Sequence, residues 1–190
     1  MSIDTTEGGL DATSRADRSY TTPALLEVLS ATAPFVGEDF FNAVTLAIAE
    51  ASGVKAAFVC ELLLDLDKAR IVAAGIDGQT AEPIEYNLLG TPCREAVIRG
   101  RCAIPEGVAR KFPRDYYLAE LGAETYAAIL LRSSSGDPLG LLSICDDAPT
   151  KDTGPIESLL EGAGQGVFRL RLHYCHVHPA PHRALMPRVL

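Results

Sequence analysis

Residues 123–147 read AETYAAILLRSSSGDPLGLLSICDD, and this stretch decides which fold the chain is expected to adopt. Two apolar runs flank the segment SSSGD, whose serines, glycine and aspartate are typical of a tight turn. Strands joined by such a turn pair antiparallel. The stretch therefore predicts a β-hairpin, with AETYAAILLR as its first strand and PLGLLSICDD as its second.

A second hairpin is predicted earlier in the chain. The run VKAAFVCELLL, at 54–64, is long and apolar enough to be a strand that is buried on most of both faces. The turn DLDK leads from it into ARIVAAGIDG, at 69–78, which we expect to pair with it antiparallel. EPIEYNL is a shorter third strand, because Ile84, Tyr86 and Leu88 alternate with polar residues.

Helices are predicted at both ends of this strand-rich region. The first, PALLEVLSAT, begins with a proline and places Leu25, Leu26 and Leu29 on one face. The second, EDFFNAVTLAIAEASG, ends at Gly53 and carries an apolar stripe at helical spacing. That stripe consists of Phe40, Phe41, Val44, Ile48 and Ala51. A last amphipathic helix is predicted over 152–174.

The order of these elements predicts an α+β fold. Hairpin-connected strands with helices at both chain ends favour a central antiparallel sheet of about five to six strands. The terminal helices are expected on one face of the sheet, and the loops and short helices of 88–122 on the other. Residues 1–22 are polar and 175–190 are rich in His, Pro and Arg, so both are predicted to be disordered tails around a domain at 23–174.

With these elements in order, the chain resembles a GAF domain, of the type found in bacterial sensor histidine kinases and related signalling proteins. Three stretches carry the resemblance: GEDFFNAVTLAIAEASGVKAAFVCEL, YNLLGTPCREAV, and EGVARKFPRDYYLAELGAETYAAILLRSSSGDPLGLLSICDDAP. Together they cover most of 25–172. The chain departs from the family at YAAILL, where members usually have Gly-Val-Pro-Leu after the tyrosine. The resemblance implies a GAF or PAS-like fold.

The resemblance also implies a function. It implies a cytoplasmic sensory domain that binds a small molecule between the sheet and 88–122 and passes the signal through dimerisation of its terminal helices. The implied partners are a second copy of the chain and a kinase or regulator of a two-component system, while the ligand and any cofactor stay unknown. The candidate ligand-binding residues are Tyr86, Thr91, Cys93, Cys102, Phe112, Asp115, Tyr116 and Tyr126.

Charge and composition narrow the classes of partner. The chain of 190 residues has a formal net charge of −8, which disfavours nucleic acid because phosphate binding requires clustered basic side chains. No apolar run approaches the roughly 18–20 residues of a membrane span. The polar N-terminus lacks the apolar segment of a secretory signal. We therefore expect a cytoplasmic protein with no nucleic-acid or membrane partner.

The cysteines and histidines argue against most catalytic arrangements. Five dispersed cysteines without a Cys-x-x-Cys motif do not suggest a disulfide framework. All four histidines lie within 173–182, so the body of the domain has neither a Ser-His-Asp nor a Cys-His arrangement. The sequence HYCHVHPAPH has metal-ligating residue types, but a closed structural site needs four ligands. No catalytic residue and no metal site are predicted.

Cys93 allows more than one interpretation. Thr91 is a suitable N-cap and Pro92 suits the first helical position, which places Cys93 in a first turn where the helix dipole favours a thiolate. A thiol redox enzyme similar to the GAF-fold free-methionine-sulfoxide reductases would use Cys93 with Cys102. We favour the alternative that Cys93 is a small buried residue that anchors the helix. A ligand-free dimerisation module is a third interpretation of the chain.

Overall fold

The computed structural model describes residues 22–164. The helices are α1 (Thr22–Thr32), α2 (Gly37–Ser52), α3 (Pro92–Arg99), α4 (Val108–Lys111), α5 (Tyr116–Glu120) and α6 (Gly154–Ala163). The strands are β1 (Ala56–Leu63), β2 (Lys68–Ile76), β3 (Gln79–Thr80), β4 (Ile84–Asn87), β5 (Arg101–Ile104), β6 (Thr125–Arg132) and β7 (Pro138–Asp146). A short 3-10 turn, Leu64–Leu66, joins β1 to β2.

The strands form one antiparallel sheet with the order β3-β2-β1-β7-β6-β5, and β4 also pairs with β2. Both predicted hairpins are confirmed, since β1 pairs with β2 and β6 pairs with β7 along their lengths. The pairing of β1 with β7 joins the two hairpins at the centre of the sheet. β5 pairs with β6 alone and therefore forms one edge of the sheet.

Two hydrophobic layers cover the two faces of the sheet, as the α+β prediction requires. On one face, α1, α2 and α6 bury side chains such as Ile48, Leu142 and Leu160. On the other face, α3 and the short helices α4 and α5 bury side chains such as Leu88 and Leu141. The alternation of side chains along β1, β6 and β7 supplies both layers, because neighbouring residues of a strand point to opposite faces.

The orientation of α1 differs from the one predicted. Leu25 is partly buried against the core, but Leu26 and Leu29 are 56% and 37% exposed. The buried side of α1 is formed by Ala24 and Val28, which are spaced one helical turn apart. The three leucines that the sequence placed on one face of α1 therefore do not share a buried face.

Parts of the predicted organisation lie outside the described range. The proposed disordered tails fall almost entirely on 1–21 and 165–190, and the last helix is described only as far as Ala163. The strand predicted around Tyr86 is confirmed as β4, whereas β3 was not predicted. Between residues 22 and 164, no helix combines the length and the apolar character that crossing a membrane requires.

Candidate functional site

Helix α3 places Cys93 against the sheet. The Thr91 side chain accepts a hydrogen bond from the Arg94 N–H at 3.4 Å and donates one to the Leu88 carbonyl at 2.7 Å. Pro92 occupies the first turn, as the sequence predicted. Because this start of the helix is fixed, the Cys93 side chain points inward and is only 7% exposed.

Cys93 belongs to a cluster of two thiols and two phenols. Its Sγ lies 3.1 Å from the Tyr126 hydroxyl and 3.2 Å from the Tyr86 hydroxyl. The Tyr86 hydroxyl also lies 3.6 Å from Cys60 Sγ, and with a single hydrogen it donates to one of the two sulfurs at a time. We call Cys60, Tyr86, Cys93 and Tyr126 the thiol–phenol cluster. Its members come from four separate elements, β1, β4, α3 and β6.

Burial keeps the thiol–phenol cluster uncharged at neutral pH. Burial raises the pKa of Cys93 to about 11, although the hydrogen bonds from Tyr126 and Tyr86 act in the opposite direction. Burial also raises the pKa of Cys60 and holds the pKa values of Tyr86 and Tyr126 well above their ordinary range. Burial thus shifts the pKa of Cys93 in the direction opposite to the one that its place in the first turn of a helix predicted.

The sheet beneath the thiol–phenol cluster has small side chains. Ala69, Ala128 and Ser143 are buried there, and the strand register places Ser143 beside Ala128. Cys145 lies on the same face, where it pairs with Tyr126 across β6 and β7. Burial raises the pKa of Cys145 to about 12. This face therefore offers hydroxyl and thiol groups among its apolar side chains.

The remaining candidate residues lie around this centre at different depths. Cys102 and Phe112 line an open cleft of about 550 Å³ at the β5 edge. Asp115 precedes α5, and burial raises the pKa of its carboxyl while the backbone N–H groups of Leu118 and Tyr117 oppose the rise. Tyr116 is 59% exposed, and its ring lies 4.3 Å from that of Tyr117. The structure thus brings Tyr86, Cys93 and Tyr126 together and leaves Tyr116 at the surface.

Cys60 is not among the candidate residues that the sequence singled out, and its place in the thiol–phenol cluster was not predicted. One signal in the sequence bears on it. In a strand, Cys60 shares a face with Phe58 and Leu62, and this is the face that the candidate segment 88–122 covers. The contact between Cys60 and Tyr86 joins residues that are 26 positions apart in the sequence, so no local pattern predicts it.

We expect Cys93 to react slowly with alkylating reagents in the folded protein. Only the thiolate attacks such reagents, and a pKa of about 11 in place of 9.0 lowers the thiolate fraction near pH 8 by about 100-fold. Iodoacetamide labelling followed by peptide mass mapping separates Cys93 from the half-buried Cys102. Equal labelling rates for Cys93 in native and urea-unfolded protein would contradict the burial described here.

No protein-family model and no curated protein matches this sequence. Solved structures match it in fold. The GAF domain of A. aeolicus nlh2 in an inactive state has a TM-score of 0.61 and 13% identity, over 84% of this chain and 98% of that one. The phycoerythrobilin-bound GAF domain from a cyanobacterial phytochrome has a TM-score of 0.55 and 12% identity, over 82% of this chain and 97% of that one.

A larger phytochrome structure also matches. The chromophore binding domain of Stigmatella aurantiaca phytochrome P1 has a TM-score of 0.55 and 15% identity, over 76% of this chain. This chain spans 59% of that protein, which is less than two thirds of its length. At identities of 12%, 13% and 15%, these matches show a similar fold and do not show a similar binding site.

Proposed function

Because this chain has the fold of a GAF domain, we propose that it is a cytoplasmic sensory domain that binds a small, uncharged molecule in bacterial signal transduction. The solved domains of the same fold include one described as phycoerythrobilin-bound, which supports a ligand-binding role. The observation that carries the proposal is the thiol–phenol cluster beneath α3, which provides several polar groups in a buried, apolar setting. Ligand pockets typically combine these two properties.

The chemistry of the thiol–phenol cluster selects an uncharged ligand. The high pKa values of Cys93, Tyr86 and Tyr126 keep these groups protonated near neutral pH, so they offer hydrogen bonds without a formal charge. An ion placed among them would lose its hydration without gaining a counter-charge. Such a ligand would lie against Ala69, Ala128 and Ser143 once 88–122 moves away from the sheet.

The terminal helices supply the route by which binding would reach a partner. The exposed apolar side chains Leu26, Leu29, Phe35 and Val36 lie on α1 and the turn that follows it. A second copy of the chain that packs against this surface would remove them from water. Through this homodimer, a change in the sheet would pass to a kinase or another regulator of a two-component system.

Native mass spectrometry of the purified full chain tests ligand binding. We expect a non-covalent adduct that is lost on denaturation, and we expect the Tyr126→Phe variant to retain less of it because one hydrogen-bonding hydroxyl is gone. Glu38→Gln, at an exposed position of α2 on the opposite face of the sheet, serves as the control and should retain the adduct. Bare polypeptide in the wild type, with no mass gained from added cell metabolites, would contradict the proposal.

A ligand-free dimerisation module is the second candidate, and the exposed apolar surface of α1 is the observation that favours it. A bare dimer in the same mass spectrum would support this second candidate over the first. We propose no catalysis. The Cys93 thiol has a raised pKa and hydrogen bonds with tyrosines, a setting unlike that of a nucleophilic cysteine.

A further inference from the structure

Two thiols from different elements flank one phenol in the thiol–phenol cluster. The Tyr86 hydroxyl lies 3.2 Å from Cys93 Sγ and 3.6 Å from Cys60 Sγ, so the two sulfurs are no further apart than the sum of these distances. Neither cysteine forms a disulfide, and both are buried. The fold thus holds two reduced thiols close together, away from water.

The number of ligand groups restricts the kind of metal ion that such a pair can bind. Among residues 22–164, no group of three or more His, Cys, Asp or Glu side chains could hold a metal ion. Thiolates select Cu(I) and zinc among the common metals, and a structural zinc site requires four ligands. Cu(I) is monovalent and soft, and two thiolates on opposite sides complete its coordination.

We propose that Cys60 and Cys93 bind one Cu(I) ion between their sulfurs as a pair of thiolates. Each thiol releases its proton to solvent, each sulfur forms one bond to the ion through a lone pair, and no electron is transferred. The bound pair carries one negative charge, because two thiolates meet one cation. Metal–thiolate bonds are about 2.3 Å long, so the sulfurs would lie about 4.6 Å apart, which is within the limit set by Tyr86.

Cu(I) differs from the ions that an uncharged cluster rejects. A hydrated ion that forms no bond to sulfur finds only protonated groups, whereas Cu(I) takes the place of the thiol protons and so acquires its counter-charge. The copper site therefore goes beyond the proposed function and does not rest on it. Its test uses metal-free protein and needs no organic ligand, so either proposal can fail without the other.

The two phenols are placed to stabilise the thiolates. Hydrogen bonds from Tyr126 and Tyr86 act to lower the pKa of Cys93, and one from Tyr86 acts in the same way on Cys60, although burial outweighs them in the metal-free protein. Hydrogen bonds to a ligating group commonly raise metal affinity. We therefore expect the phenols to contribute to the affinity for Cu(I).

Two other titratable groups act on Cys93 in the opposite direction, namely Asp115 and Cys102. Burial raises the pKa of both, which favours their uncharged forms. Neither group forms a hydrogen bond with Cys93, in contrast to the two phenols.

A second set of copper-ligating residue types lies outside the described residues. Cys175 and the four histidines fall within 173–182. Above its pKa of about 6.5, a histidine ring binds metal without releasing a proton, whereas each thiol releases one. A site made of histidines and Cys175 therefore releases one proton, and the pair of Cys60 and Cys93 releases two.

Titration of the metal-free full chain with Cu(I), without oxygen and against the chelator bicinchoninate, tests the proposal. We expect the wild type to take Cu(I) from the chelator, with an affinity about 100-fold higher at pH 8 than at pH 7 because two thiols lose protons. Equimolar zinc should not displace the ion. Failure to take Cu(I), displacement by zinc, or a rise in affinity of tenfold or less would overturn the proposal.

Four variants locate the ion. Cys60→Ser and Cys93→Ser should each lower the affinity at least 100-fold, whereas Cys175→Ser, the matched control, should keep the affinity of the wild type. Tyr86→Phe keeps both thiols and should lower the affinity about tenfold, because a hydrogen bond to the ligating sulfurs is lost. Full affinity in either Cys60→Ser or Cys93→Ser, or loss of binding in Cys175→Ser, would refute the assignment. If both serine variants unfold, Tyr86→Phe decides, and unchanged binding by it would overturn the proposal.

Discussion

The free energy of unfolding is expected to fall steeply as the pH rises from about 9 to 11. Burial raises the pKa of Cys93 to about 11 and that of Cys145 to about 12, from an ordinary value of 9.0. Above pH 9 these thiols lose their protons in the unfolded chain and keep them in the folded one. A raised thiol pKa therefore stabilises the fold below the ordinary value, and this stabilisation is lost as the pH approaches the folded value.

The size of this loss follows from proton linkage. Each thiol that ionises only on unfolding lowers the free energy of unfolding by about 1.4 kcal/mol per pH unit. Cys60 shifts in the same direction, so three buried thiols act together. Three thiols together remove about 4 kcal/mol per pH unit above pH 9, so a domain at the lower end of the usual range of about 5–15 kcal/mol would unfold within about pH 10 to 11.

Urea unfolding at a series of pH values measures this dependence. The matched control is Cys145→Ala, which removes one titrating thiol outside the thiol–phenol cluster and should reduce the slope by about a third. Tyrosinate absorbance provides an independent check, because Tyr86 and Tyr126 should ionise only when the chain unfolds. A free energy of unfolding that stays constant up to pH 10.5 would show that the thiols are not buried as described.

Gly140→Ala is expected to destabilise the fold more than other small substitutions in the sheet. Gly140 lies in β7 between Glu61 of β1 and Leu131 of β6, and an added Cβ would overlap the carbonyl oxygen of Cys60. A backbone oxygen inside a sheet cannot move as a side chain does. We expect a loss of about 3 kcal/mol or more in the free energy of unfolding.

Gly154→Ala is the comparison for this substitution. Its Cβ would approach the Asp152 side chain at 3.1 Å, and that carboxylate can turn away. Alanine also favours the start of α6, so the change should stay within about 1 kcal/mol of the wild type. Thermal or urea unfolding of both variants gives the comparison. Equal stability of Gly140→Ala and Gly154→Ala would disprove the close approach of β1 and β7 at Cys60.

The outcome for α3 and α1 shows where local patterns suffice. The start of α3 depends on Thr91 and Pro92, whose effects act within one turn, and the structure has the cap where the sequence placed it. Which side of α1 is buried depends on the helices and strands that pack against it. Leu25, Leu26 and Leu29 span a wide arc of the helix, so small Ala24 and Val28 can supply the closer packing against the core.

The sequence by itself determined the hairpins, the α+β order and the cap of α3, because turns, strand alternation and capping depend on residues a few positions apart. Only the tertiary structure decided that Cys60, Tyr86, Cys93 and Tyr126 meet, and that β5 forms an edge with an open cleft. These features arise because strands pair over long sequence separations. Burial in the finished core then sets the pKa of each thiol and phenol. The order of the strands leaves β5 at the edge of the sheet.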